Sequence, residues 1–288
     1  MFGFLNVNKP SGMSSHKVIS ILRKITGIKK IGHAGTLDPL ASGVLPVAIG
    51  KATSLIDYLP SDKRYIAGLE FGKKSDTYDI EGNIEVINAK AVTKEDIETN
   101  LSLFRGEIRQ IPPAYSAVHY KGKRLYELAR AGKIPDDIPS RLITVYNNTI
   151  VEFDEQKQKL KLDIACSKGT YIRTIVNDLG ESLNTGAIMY ELTRIEAGGM
   201  HLNSSVQLDE SLTCEKIEKY LINPADILSI PVLEITNEEY NIILHGNKIK
   251  NHYNVKNEVF LNFKGEITAL SIADNNFIQP KKLMIKNT

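Results

Sequence analysis

Cysteine is scarce. The chain of 288 residues has two, Cys166 and Cys214, far apart, with no CxxC spacing and no histidine at ligand distance. That pattern argues against a zinc site, so no metal is expected. Two reduced thiols fit a cytosolic chain. Long apolar runs are also missing. Stretches such as VLPVAIG are far too short to span a bilayer, so no membrane association is expected. The N-terminus, MFGFLNVNKPSG, has no basic stretch followed by a long apolar run and does not read as a signal peptide. A cytoplasmic location is the expectation. Charge of one sign is not in excess either: 36 Lys and Arg face 34 Asp and Glu, a net charge of +2. Such a balance neither demands nor excludes nucleic acid, because a local patch is what binds phosphate.

What is present is ordinary globular material, 42% hydrophobic and 24% charged, enough for a full core. Ser14-Ser15 precede Val18, Ile21, Leu22 and Ile25, the spacing of an amphipathic helix with a serine cap, closed by Gly27. Residues 31–50 read as a long structured loop entering a buried strand. Tyr65–Phe71 alternates like a strand. Thr93 to Asp96 resembles a capping box that opens a helix with Ile97, Leu101 and Phe104. Leu160, Leu162, Ile164 and Cys166 alternate with Lys161, Asp163 and Ala165 as a strand with one apolar face. Past the turn Ser167-Lys168-Gly169, a helix carries Ile172, Ile175, Val176, Leu179 and Leu183 on one stripe. Beyond Pro231 short strands with turn signals, over residues 259–263, 267–272 and 282–285, predict a small, separable β-barrel, with the boundary near Val232.

The string GHAGTLDPLASGVLP, Gly32 to Pro46, gathers His33, Thr36 and Asp38 in one loop with Gly32, Gly35 and Gly43. An isolated Asp-Pro is usually only a turn, but glycines permit the close approach that a nucleotide needs. Gly50-Lys51 is not a phosphate loop, because Leu45 and Ala52 break that motif at two defining positions.

This string resembles the catalytic motif of the TruB family of tRNA pseudouridine synthases. Further similar segments follow in order: NVNKPSGMSS with Lys9 and Pro10; KRYIAGLEFG and SDTYDIEG with Tyr65 and Asp79; PPAYSAVHYKGKRLYELARAG; CSKGTYIRTIVNDLG with Tyr171 and Arg173; and YELTRIEAG with Leu192 and Arg194. The likeness covers about the first two hundred residues; the last part resembles a PUA RNA-binding barrel loosely. The resemblance implies an α+β fold with a mixed, largely antiparallel central sheet and flanking helices, residues 1–231, followed by a PUA-like β-barrel, 232–288. It implies an enzyme that isomerises a uridine in the T loop of tRNA, position 55, to pseudouridine. The reaction needs no redox step or energy input, so no cofactor is implied. No obligate protein partner is expected, and the chain is expected to act as a monomer.

By the same resemblance, Asp38 is the catalytic carboxylate. It would attack the ribose or the ring, or remove a ribose proton; the residues do not choose between these. Arg173 is its implied partner, on the margin of its helix stripe, which permits a position at a cleft rim. The target base must leave its stack: Tyr65 would stack on it, His33 would fill the space it leaves, and Tyr171 and Leu192 would wall the pocket. Lys9, Pro10 and Asp79 are expected to be scaffold. The segment from Pro112 to about residue 143 resembles an RNA-gripping insertion. It interleaves Tyr115, Tyr120 and Tyr126 with Lys121, Lys123, Arg124, Arg130 and Arg141, a mixture suited to stacking and phosphate contacts. His119 stands where the family usually has lysine, which weakens one phosphate contact. A catalytically silent RNA-binding protein, or a hydrolase using Asp38 and Asp79, are the competing readings.

Overall fold

Alternating burial builds the main sheet. In strand Lys159–Cys166 every second residue, Leu160, Leu162, Ile164 and Cys166, is fully buried, while the residues between face outward. The computed structural model describes residues 1–284. Its principal sheet has ten strands. Along the main path run Val206–Gln207, Gly3–Lys9, Ser42–Ile49, Ala187–Ala197, Lys63–Phe71, Lys159–Cys166, Arg141–Asp154 and Gly106–Gln110. Ile31–His33 and Met200–His201 pair off that path. Two pairings are parallel, Val206–Gln207 with Gly3–Lys9 and Ala187–Ala197 with Ser42–Ile49. The others are antiparallel, so the sheet is mixed and largely antiparallel.

Helices form where the caps and stripes lie. Ser14 caps helix Ser15–Thr26, and Gly27 ends it at φ 70°. Thr93 and Asp96 make a reciprocal capping box on helix Lys94–Leu101; Phe104 falls in the 3₁₀ turn that follows. Ile175, Val176 and Leu179 of helix Ile172–Ser182 pack with Ile97 and with Leu69 and Leu162 of the sheet. Each such side chain contributes about 1.5–3 kcal/mol of burial.

The insertion is a closed excursion. Strand Gly106–Gln110 ends with Gln110 opposite Arg141, the first residue of its partner strand. Residues 111–140 thus leave and rejoin the sheet on one rung. They hold a hairpin, His119–Tyr120 with Lys123–Arg124, and the short helix Leu125–Arg130. Lys121 and Gly122 at the hairpin tip both have positive φ, 46° and 85°, which matches the twist of a two-residue turn.

At Val232 the topology changes. Val232–Glu234, Asn257–Phe263, Glu266–Ala273, Phe277–Leu283 and Ile249–Lys250 form a curled five-stranded sheet in that order. The strand read at residues 282–285 runs over Phe277–Leu283; Ile285, and the residues to 288, lie outside the described part. The expected separability meets a physical obstacle. Alternation points Val259 and Leu261 into the small sheet's own core. It sends Phe260 the other way, where it, Ile267, Leu270 and Met284 pack with Phe4, Val44, Ala48 and Leu55. Two sheets thus share one hydrophobic cluster.

Candidate active site

Residues 34–41 join strands Ile31–His33 and Ser42–Ile49, and neighbouring side chains fasten this loop to the sheet. Lys9 is fully buried. Its Nζ donates to the carbonyls of Pro10 (2.9 Å), Met13 (2.5 Å) and Pro39 (3.3 Å). Burial pushes its ammonium down to about 8, against an opposing pull from Asp38. Ser15 bonds both backbone groups of Leu37, and Ser11 Oγ donates to Leu40 O. Arg194, also fully buried, donates from Nε to Val44 O (2.8 Å) and from Nη2 to Gly35 O (3.1 Å). Gly43 permits this closeness: its φ is 100°, and a Cβ there would lie 2.2 Å from Arg194 O.

Asp38 projects from this frame. Its Oδ2 lies 3.0 Å from Arg173 Nε, and Asp79 Oδ2 lies 3.7 Å from the same nitrogen. Arg173 does not sit at a rim. Its side chain is 6% exposed, because two remote segments close over it. Nη1 donates to Thr77 O and Nη2 to Tyr115 O, both at 3.0 Å. Tyr78, left-handed at φ 64°, makes the turn between Thr77 O and Asp79; non-glycine residues adopt that conformation at a cost and often near functional sites. Asp79, itself buried, accepts from Thr77 Oγ1 (2.6 Å) and Glu81 N–H (3.0 Å).

Asp38 and Arg173 line a small cleft, open to solvent, with Thr36, Leu37, Tyr65, Thr170, Tyr171, Ile172 and Leu192. Tyr65 and Leu192 come from adjacent strands; Arg194 faces Tyr65 in register, next to Leu192 on the same side of the sheet. Burial pushes the phenols of Tyr65 and Tyr171 up, so both stay neutral. Two aromatic rings, aliphatic side walls and one ion pair suit a flat ring with polar edges.

The structure thus brings together Asp38, Tyr65, Tyr171, Arg173 and Leu192, with Asp79 behind Arg173 and Lys9 and Pro10 under the loop. His33 ends its strand opposite Val47, outside the cleft lining. Its Nδ1 is buried without a partner, and burial, then Arg194, push its pKa down. None of the insertion's residues lines the cleft. Tyr115 reaches the site through its carbonyl alone. Lys121, Arg124, Arg130 and Arg141 are exposed, with Arg130 5.5 Å from the Tyr126 ring centre. Lys121 meets Asp137 at 3.8 Å between two exposed side chains, a contact worth little. Ser15, Thr77 and Gln110 were not foreseen as site residues, and Arg194 had no assigned role. Ser15, Gln110 and Arg194 share one sequence signal, a polar group at a core-facing position.

Residues 23–172 match the family described as TruB family pseudouridylate synthase (N terminal domain). This chain belongs to the TruB family. It is 43% identical to tRNA pseudouridine synthase B of Caldanaerobacter subterraneus subsp. tengcongensis, over 98% of each chain. It is 44% identical to the protein of that name from Synechocystis, over 86% of each. Among solved structures, the TruB-family chain is similar to a crystal structure of a Cbf5-Nop10-Gar1 complex. The TM-score is 0.69 at 25% identity, covering 99% of this chain and 85% of that one. Across this TruB-family frame the loop of residues 34–41, Arg173 and the two tyrosines meet in one cleft.

Proposed function

We propose that this chain isomerises a uridine in the T loop of tRNA, position 55, to pseudouridine, with Asp38 as the catalytic carboxylate and no cofactor. The observation that carries this reading is the Asp38–Arg173 pair, 3.0 Å apart, at the edge of a cleft walled by Tyr65, Tyr171 and Leu192. The N1–C1′ bond breaks, the uracil turns, C5 bonds to C1′, C5 loses its proton and N1 gains one. The target base leaves its stack first, and Tyr65 and Tyr171 offer it new faces. Arg173 aims the carboxylate and Asp79 fixes Arg173. Residues 1–231 carry the chemistry; the insertion, through Tyr115, Lys121, Arg124, Tyr126, Arg130 and Arg141, and the PUA-like unit 232–288 hold the RNA. The chain acts as a monomer without a protein partner, in the cytoplasm where tRNA is its substrate. No helix among the described residues is long and apolar enough to cross a membrane.

The test is incubation of the purified chain with an unmodified tRNA transcript, followed by nucleoside analysis and mapping. One pseudouridine in the T loop is expected. No product, or product mapped elsewhere, would overturn the reading.

A further inference from the structure

Gln110 closes strand Gly106–Gln110, one residue before the insertion begins, and its side chain is buried. Its amide forms a two-bond ring with one residue of the cleft wall. Tyr171 N–H donates to Oε1 at 2.8 Å, and Nε2 donates to Tyr171 O at 3.0 Å. Tyr171 is the N-cap of helix Ile172–Ser182 and has no side-chain cap of its own. An amide presents one acceptor and two donors, so Gln110 pairs with Tyr171 as a neighbouring backbone would. Two further bonds run between the same segments. Arg173 Nη2 donates to Tyr115 O at 3.0 Å, and Thr174 Oγ1 donates to Ile111 O at 3.5 Å. Residues 110–115, the root of the insertion, are thereby joined to residues 171–174, which hold the wall tyrosine and the partner of Asp38.

We infer that Gln110 is a positioning residue for the reaction: it sets the Tyr171 backbone, hence the first turn of the helix and the aim of Arg173 at Asp38, and it ties that aim to the root of the insertion. The inference rests on the proposed isomerisation. Gln110 is not itself a cleft-lining residue; it meets the lining only through the Tyr171 backbone. Its effect should appear in the rate on bound RNA and leave affinity nearly unchanged.

Gln110→Glu makes the idea testable by pH. An ionised carboxylate still accepts from Tyr171 N–H, but its second oxygen faces Tyr171 O and repels it. A protonated carboxyl regains a donor and reproduces the amide pattern. Burial beside a carbonyl raises such a pKa, so protonation falls within an accessible range. The measurement is the single-turnover rate at saturating tRNA from pH 8 to pH 5.5, for wild type, Q110E and Q110A, with Kd and thermal unfolding alongside. Q110E should be roughly 30-fold slower than wild type at pH 8 and within about threefold at pH 5.5. Q110A should be slow at every pH, and Kd should stay within about twofold for both. A charge acting directly on Asp38 would give the opposite trend, with Q110E losing ground as pH falls. That trend, a flat ratio, a loss confined to Kd, or a Q110A rate equal to wild type would each overturn the inference. Wild type without product would sink the proposed function and this inference together; wild type with product and a flat Q110E ratio would sink this inference alone.

Discussion

One hydroxyl of Ser15 satisfies both backbone groups of Leu37: Leu37 N–H donates to Oγ at 2.9 Å, and Oγ donates to Leu37 O at 3.0 Å. Leu37 is 3% exposed and precedes Asp38. Removing the hydroxyl leaves a buried donor and acceptor unpaired, at a cost of about 1–3 kcal/mol. Ser15→Ala should lower Tm by a few degrees, at roughly 2–4 °C per kcal/mol for a chain of this size. It should also slow turnover on bound tRNA about tenfold, because Asp38 rides on the loosened loop. Calorimetry and single-turnover kinetics check the two parts. An unchanged rate would show that Lys9 and Arg194 hold the loop without Ser15.

Asp38→Asn keeps shape and loses the carboxylate. It should fold, bind tRNA and form no pseudouridine. Arg173→Lys keeps charge and loses the fork that reaches Asp38, Thr77 O and Tyr115 O together. Its rate should fall about 100-fold, with binding little changed. Nucleoside analysis gives the first outcome and rapid-quench kinetics the second; product from the Asn variant would remove Asp38 from its assigned role.

Lys9 predicts a pH dependence of stability. Its ammonium titrates near 8 in the folded chain and near 10.4 when unfolded. Below pH 8 both states hold the proton, and the cost of burying the charge is fully present. Between the two values the unfolded chain holds more protons, so this residue's contribution rises with pH. The Tm difference, wild type minus Lys9→Met, should therefore grow in favour of wild type from pH 8 to pH 10. A flat difference would mean that Lys9 does not titrate there.

Arg124 and Arg130 are exposed on the insertion. If they meet phosphate, their replacement by Ala should weaken tRNA binding and reduce the salt slope of log Kd by about one per lost contact. Kd from 50 to 300 mM salt, on the order of the range where counterion release is measured, reports this. The single-turnover rate at saturation should change little. An unaltered slope would return both cations to the solvent.

Local features were legible in the chain. The capping box at Thr93, the stripe of helix Ile172–Ser182 and the alternation of Lys159–Cys166 each depend on residues a few positions apart. The resemblance named Asp38, Tyr65, Tyr171, Arg173 and Leu192 of the cleft lining but not Leu37, Thr170 or Ile172, and it also named His33, which lies outside that lining. The partnerships behind them were not legible, because they join distant segments: Gln110 with Tyr171 are 61 positions apart, and Arg194 with Gly35 are 159 apart. Ser15 was hidden for another reason. Ser14 beside it is the actual cap, and Ser15 shares the buried face with Val18, Ile19 and Leu22. Arg173 looked marginal because the segments that cover it come from residues 77 and 115.

Because residues 111–140 depart and return across the Gln110–Arg141 pair, the sheet is indifferent to how many residues lie between. Doubling the length of such a loop adds only about 0.6 kcal/mol of closure entropy. Descendants of this frame can therefore lengthen, prune or rewrite the arm without re-registering a strand beneath the cleft. Under the proposed function, a new segment grafted between residues 117 and 140 would leave in place both the loop of residues 34–41 and the bonds that tie residues 110–115 to residues 171–174.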